Sequence, residues 1–369
     1  MAFSKCPFLK NLLSLSDNGS DDVLLITGNP NKIESKQWTQ FVWFFWVFEL
    51  VVRPILGIFL PIDLAGDEAY YWEWGQHLDW GYFSKPPGIA WLMAFADWVG
   101  QGSTLGIRLL ASILGMGGAW CVVLIAKRCF GHTAAIWIGC AWILTPANSA
   151  LHLLLTIDAP LVCFWCLALW ATIEWIERKG SSLSHAVIIG VAVMCGILSK
   201  QMMLIYFPLL VFILILEKDW RPLLAKSQVW IAGIIGHVGL IPPLWWNSQN
   251  NWITFQHTLH HFESAPPTLN QRISRFFELF GAEAGLVTPV LFFLILVSGF
   301  SVVRQWRTSG PILRLLWWMS FPAILAMLAM TWRQRVNPNW PAVFLIAGTL
   351  MGCGYFWKRW ENDLKSKND

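Results

Sequence analysis

Long apolar stretches alternate with short polar segments along almost the whole chain. Runs of about twenty residues match the length needed to cross the hydrocarbon of a bilayer, and a helix of a soluble protein would carry a polar face that these runs lack. Ten such stretches are predicted, near 39–60, 105–126, 133–151, 159–176, 185–199, 202–217, 228–246, 284–303, 312–331 and 341–357. The pair 185–199 and 202–217 reads as two helices joined by a tight turn at Lys200. The pattern predicts an all-α polytopic membrane protein, about ten transmembrane helices over residues 38–357.

The polar remainder divides into tails and loops. Residues 1–37, centred on Ser16-Asp17-Asn18-Gly19-Ser20-Asp21-Asp22, read as a disordered tail. They lack the charged, then apolar, then small-residue order of a signal peptide. Residues 358–369 form a second, short tail, and two long segments, 61–104 and 247–283, are loops. Within the first loop, residues 68–78 carry aromatic side chains at 70, 71, 72 and 74, which fits a short helix lying at the membrane interface. Lys85-Pro86-Pro87 then fixes the direction of the chain. The apolar stretch 88–99 is too short to cross easily and reads as a second interfacial helix. A loop that merely covers the helix bundle would have the same composition.

Composition agrees with the pattern: 56% of residues are apolar, 15% aromatic and only 13% charged, against about 25% charged in soluble domains. Charge then orients the chain. With the N-terminus inside, 18 of the 26 basic residues fall on the inner side and 8 on the outer. Basic residues favour the cytoplasm, so both termini are expected there. The net charge of +4 follows from orientation and implies no nucleic-acid partner, because no basic run is dense enough to bind one. Six of the eight cysteines lie within apolar stretches, where cysteine packs as a small hydrophobe. Cys163 and Cys166 have the spacing of zinc ligands but no second pair, so no metal is assigned to them.

The same topology places Asp67, Glu68, Lys85, Asp158, Lys200 and the histidines 257–261 on the outer face, at or near the ends of different spans. Charged groups at such positions are costly and usually functional. A carboxylate there can take a proton from an acceptor hydroxyl, and a lysine can offset charge on a departing phosphate. Each has a plainer reading. Asp158 opens a span and would serve as a helix cap; Glu68 would brace the loop around Asp67; Lys200 would snorkel to the interface. His257, His260 and His261, with Glu263 nearby, would share one helical face, a possible metal site, but three ligands from one turn without a carboxylate at a known distance read as an exposed polar helix, so a metal is not favoured and no other cofactor is expected. Arg272, Arg275, Arg333 and Arg335 suit donor phosphate or anionic lipid headgroups. Most of the 26 tryptophans are belt-like anchors, while Trp72, Trp74 and Trp80 flank the proposed site.

Seven short blocks in order resemble the GT-C membrane glycosyltransferases of the protein O-mannosyltransferase and lipid A aminoarabinose transferase type, the group akin to glycosyltransferase family 39. They are Gly66-Asp67-Glu68-Ala69-Tyr70-Tyr71-Trp72, Tyr82-Phe83-Ser84-Lys85-Pro86-Pro87-Gly88, Arg108-Leu109-Leu110-Ala111-Ser112, Thr156-Ile157-Asp158-Ala159-Pro160, Gly196-Ile197-Leu198-Ser199-Lys200, Asn251-Trp252-Ile253-Thr254-Phe255 and Pro338-Asn339-Trp340-Pro341-Ala342. The resemblance covers roughly residues 40–357. It implies a GT-C fold in the bacterial inner membrane and a periplasmic site within loop 61–104. There a sugar would leave a polyprenyl-phosphate carrier, with inversion, for a lipid, glycan or protein acceptor. On that pattern Asp67 is the catalytic base, with Glu68 beside it. Lys85 meets the donor phosphate, and Asp158, Lys200, Tyr70, Tyr71, His257 and Arg333 are expected to contact substrate.

The chain departs from the aminoarabinose transferases at two points: Ser84 replaces a glutamate and Tyr70 a basic residue. It also stops soon after Pro341-Ala342, where relatives continue. Two rival readings are a lipid or solute transporter, which would show paired repeats and broken segments meeting at mid-membrane, and a non-catalytic relative that binds the donor without turnover.

Overall fold

The structure is a computed structural model and describes residues 32–59, 63–260 and 267–368; most of the expected N-terminal tail, the end of the first span and His261 lie outside these. Among the described residues every regular element is a helix. The described parts of all ten apolar stretches are largely helical, but among the described residues fewer than ten helices are long and apolar enough to span by themselves. Thr104–Phe130, Asp158–Glu177, Ser227–Gln249 and Pro311–Met330 qualify, and Leu269–Val287 with Pro289–Arg304 would make a fifth if the bent pair is one span.

Local chemistry explains most of the breaks. The stretch 133–151 divides into His132–Ile143 and Pro146–Leu151, because Pro146 has no N–H to donate and Thr145 caps the new helix through Asn148. Leu269–Val287 meets Pro289–Arg304 at 107°. Thr288 stands between them at φ +77, outside helical space, and its hydroxyl accepts from Leu291 N–H as the second helix restarts behind Pro289. Among the described residues the chain opens with helix Lys32–Val47, which is already helical ahead of the apolar stretch and passes through a π-turn at Phe48–Val52 before Arg53–Phe59. At the other end Ala342–Asn368 runs through the segment read as a tail, so that tail is the polar end of a helix.

The pair around Lys200 has the predicted form. Leu183–Ser199 ends at Lys200, whose backbone is extended, and a 3₁₀ turn at Gln201–Ile205 leads into Tyr206–Leu216. Loop 61–104 holds the two expected short helices, Gly66–Gln76 and Gly88–Gly100. Segment 247–283, read as a loop, contains Ile253–His260 and most of the Leu269–Val287 helix.

Packing forms two cores. The larger lies between the long helices, where the Trp165 indole meets the rings of Tyr206 and Phe344 edge-on at 5.0 and 5.5 Å. The buried Tyr206 hydroxyl is paired with Thr172 at 2.9 Å, as a phenol removed from water requires. The smaller core ties the loop helices to the bundle through Tyr71, Ile89, Met93, Ile107, Leu155 and Ile157. Two glycines permit this docking. A Cβ on Gly106 would lie 1.9 Å from the Ala96 carbonyl oxygen, and one on Gly88 would lie 2.6 Å from that of Leu198. Gly88 thus lets Lys85-Pro86-Pro87 rest against the end of the helix that leads to Lys200.

Candidate functional site

The Gly66–Gln76 helix is held at its start by a buried ion pair. Glu68 is fully buried and its Oε1 accepts from Arg108 Nη1 at 2.5 Å and from Leu155 N–H at 2.8 Å. Its other oxygen accepts from Ala65 N–H at 3.0 Å, which satisfies one of the free donors at the helix start. Arg108 also donates to the carbonyls of Leu153 and Asp63. Both carboxylate oxygens are therefore occupied, and Glu68 anchors the loop to the bundle. The helix is further tied to Gly88–Gly100 by Trp72 Nε1, which donates to Asp97 at 3.0 Å.

Asp67 points the other way. It is exposed, and its carboxylate makes no hydrogen bond or ion pair among the described residues. The two adjacent acids thus have opposite environments, and Glu68→Gln and Asp67→Asn should separate them. Glu68→Gln leaves buried Arg108 without its charged partner and should cost about 2 kcal/mol of stability, seen as a lowered Tm of the purified protein. Asp67→Asn should leave Tm unchanged.

Asp158, at the start of its helix, pairs with Lys200 Nζ at 2.7 Å. Asn339 closes the set: its carbonyl accepts from Lys200 at 3.2 Å and its amide donates to Asp158 at 3.3 Å. Lys85 lies in the field of this group. Burial lowers its pKa, the nearby Lys200 lowers it further, and Asp158 and Asp67 pull it back up. Its ammonium makes no ion pair or hydrogen bond among the described residues. An anion placed there would relieve the repulsion between Lys85 and Lys200.

Tyr71 belongs to the same cluster. Burial pushes its phenol up, and the charges of Asp67 and Asp158 push it further, so the hydroxyl stays protonated at neutral pH. That hydroxyl has no hydrogen-bond partner among the described residues. Asp67, Tyr71 and Lys85 thus present an acceptor, a donor and a cation beside a closed Asp158–Lys200–Asn339 set.

The remaining candidates make other contacts. Tyr70 is exposed, packs on Trp74 at 4.4 Å and touches the cluster through the Tyr71 ring at 6.0 Å. His257 meets the ring of Phe83 at 4.8 Å. Arg333 is exposed, without a side-chain contact to the cluster, while Arg335 pairs with Glu278. Asn339, Arg108 and Gly88 are the contributors that sequence reasoning passed over, although each stands within one of the seven blocks.

A second buried network braces the cluster from behind. Glu49, within the π-turn, pairs with Arg53 at 3.1 Å and with His152 Nδ1 at 2.5 Å, and all three side chains are buried. Arg53 donates to the Ile143 carbonyl at 2.7 Å, and Ser112 donates to that of His152 at 2.8 Å. Residues 152–155 are thus gripped from two sides just before Asp158. Arg53, Arg108 and Lys200, three of the eight basic residues that the sequence reading places on the outer side, are thus each held by a carboxylate: Glu49, Glu68 and Asp158.

Residues 84–246 match the dolichyl-phosphate-mannose-protein mannosyltransferase family. The chain is 30% identical over 316 residues to the lipid A galacturonosyltransferase RgtD of Rhizobium johnstonii, an alignment covering 85% of this chain and 65% of RgtD. The chain therefore spans about two thirds of the length of that relative. It superposes on ArnT from Cupriavidus metallidurans with a TM-score of 0.61, at 18% identity, covering 87% of this chain and 59% of ArnT. The values are the same for ArnT in the apo state and bound to undecaprenyl phosphate. The likeness to ArnT establishes the fold, and within that fold residues 84–246 are similar to the dolichyl-phosphate-mannose-protein mannosyltransferase family.

Proposed function

We propose that the chain is an inverting glycosyltransferase that takes a sugar from a polyprenyl-phosphate carrier and passes it to a lipid-anchored saccharide. The observation that carries the reading is the cluster of Asp67, Tyr71 and Lys85, three unpartnered groups of complementary chemistry beside Asp158, Lys200 and Asn339. One relative acts on lipid A by name, and one of the two ArnT structures holds undecaprenyl phosphate. A lipid acceptor and a polyprenyl-phosphate donor follow for this chain as the simplest reading.

In the proposed reaction Asp67 accepts the proton of the acceptor hydroxyl as its oxygen attacks the anomeric carbon. The bond from that carbon to the carrier phosphate breaks, and the phosphate leaves with the bonding electron pair. Lys85 offsets the developing charge. Asp158 and Asn339 hold Lys200 in place, so that Lys85 and Lys200 together make the site attractive to an anion. Tyr71 remains a donor, placed to bind a sugar or phosphate oxygen. Glu68 acts through Arg108 as a positioning residue.

The site is read as periplasmic, with both termini in the cytoplasm of a bacterial inner membrane. Reporter fusions test this: one after Ala265 should read as periplasmic and one after Arg178 as cytoplasmic. The reverse pattern would put Asp67 on the face opposite to the one proposed. The reaction itself is tested by supplying the purified chain with polyprenyl-phosphate-linked sugar and lipid A. The carrier phosphate should be released only when both are present, and mass spectrometry should find the lipid A heavier by one sugar.

A further inference from the structure

A groove of about 560 Å³ opens between segments 74–83 and 246–253. We propose that it binds an uncharged or amino-bearing sugar unit of the acceptor. That the sugar belongs to the acceptor rests on the transferase reading above.

The walls are flat and aromatic. Trp74 stacks on Tyr82 with ring centroids 4.6 Å apart and an interplanar angle of 11°. Trp246 lies against Gly81, where an added Cβ would come within 2.9 Å of the indole, so only glycine lets the backbone lie flat on that ring. The Trp246 N–H donates to Asp79 at 2.6 Å and locks the two segments together. The rim carries His77, Asp79, Asn250 and Asn251. Broad apolar faces with a few polar groups at fixed positions are what a ligand pocket needs, and a pyranose ring offers matching C–H faces edged by hydroxyls.

The backbone at the rim is strained on the groove side. Asn251 and Trp252 are consecutive non-glycine residues at φ +54 and +58. Such conformations are costly and gather at ligand sites. Here they are enforced by buried Asn247, whose carbonyl accepts from Trp252 N–H at 2.9 Å and whose side chain accepts from Thr254 N–H at 3.1 Å. The Asn251 side chain makes no hydrogen bond among the described residues, so its amide is free to meet hydroxyls. Asn250 donates to the Trp246 carbonyl and keeps its own oxygen available.

Charge decides which substrate uses the groove. No lysine or arginine lines it among the described residues, whereas Asp79 does, and Glu73 stands 3.8 Å from His77. A phosphate would be repelled here and drawn to Lys85. Trp74 is seven residues along the helix from Asp67, a rise of about 10 Å, so a saccharide lying in the groove would extend towards the base.

The test uses the purified full chain without donor, titrated with glucosamine, N-acetylglucosamine and galacturonate under saturation-transfer NMR. Glucosamine should bind best and galacturonate least, and Asp79→Asn should flatten that order. Asn251→Gly keeps the left-handed backbone and removes only the amide. It should weaken glucosamine binding about tenfold, the worth of one well-placed hydrogen bond, with an unchanged Tm. In the transfer assay it should raise KM for the acceptor by a similar factor and leave KM for the donor unchanged. Saturation transfer to none of the three sugars, or equal transfer in Asn251→Gly and wild type, would overturn the proposal. Because the titration needs no donor, that outcome would leave the transferase reading standing. Sugar binding without any transfer activity would overturn the transferase reading alone.

Discussion

Asp67→Asn lowers turnover by at least about 100-fold, the usual worth of a general base, while donor affinity changes little. The substitution keeps the size of the side chain and removes only its capacity to take a proton. It disturbs no contact, because Asp67 is exposed and its carboxylate has no partner among the described residues. The loss should therefore fall on kcat, with KM for the donor nearly constant and Tm unchanged. The neighbour behaves differently: Glu68→Gln should lower Tm through Arg108 and reduce activity only as far as the loop shifts. Wild-type turnover in Asp67→Asn would move the role of base to Asp158, although its pairing with Lys200 and Asn339 makes it a poor base.

Lys85→Ala removes about 3 kcal/mol of transition-state stabilisation, comparable to one oriented donor in a closed site, or a fall in kcat of roughly 100-fold. Donor affinity should fall as well, since the phosphate is charged before the reaction begins. Lys85→Arg should restore part of both, limited by the planar fork that replaces a compact ammonium. The geometry gives a reason to expect this. Lys85 is half-buried, has no partner among the described residues and is repelled by Lys200, so its charge is held ready for an anion. A lysine that only snorkels would give an alanine variant with unchanged donor binding and unchanged turnover at matched protein level.

The class of the fold and the two loop helices were legible because they depend on local pattern. Apolar stretches of membrane length and an aromatic run beside Lys85-Pro86-Pro87 need no tertiary information. Asp67, Lys85, Asp158 and Lys200 could be brought together from sequence because each sits near the end of an apolar stretch and topology puts those ends on one side. The division of labour between Asp67 and Glu68 could not be read. Two adjacent carboxylates look alike until Arg108, 40 residues away, is seen to occupy one of them.

Asn339 and Gly88 were hidden for the same reason. Their parts depend on Lys200 and on the Leu198 carbonyl, and neither side chain announces such a contact. The pairing of Glu49 with His152 spans 103 residues, and Glu49 sits within an apolar stretch where a carboxylate looks like an isolated exception. The breaks at Thr145 and Thr288 were missed because hydropathy is blind to backbone geometry, although the proline after each was a usable signal. They divide stretches that length and hydropathy alone count as continuous.

The most direct test of the central claim is a single time course. Wild-type protein and Asp67→Asn, purified and placed in liposomes at equal amounts, are given polyprenyl phosphate carrying a labelled sugar together with lipid A. Label should move from carrier to lipid A with wild type and stay on the carrier with Asp67→Asn, although both proteins bind the donor equally. Equal movement of label in the two, or none in wild type while the donor is bound, would contradict an active transferase that uses Asp67.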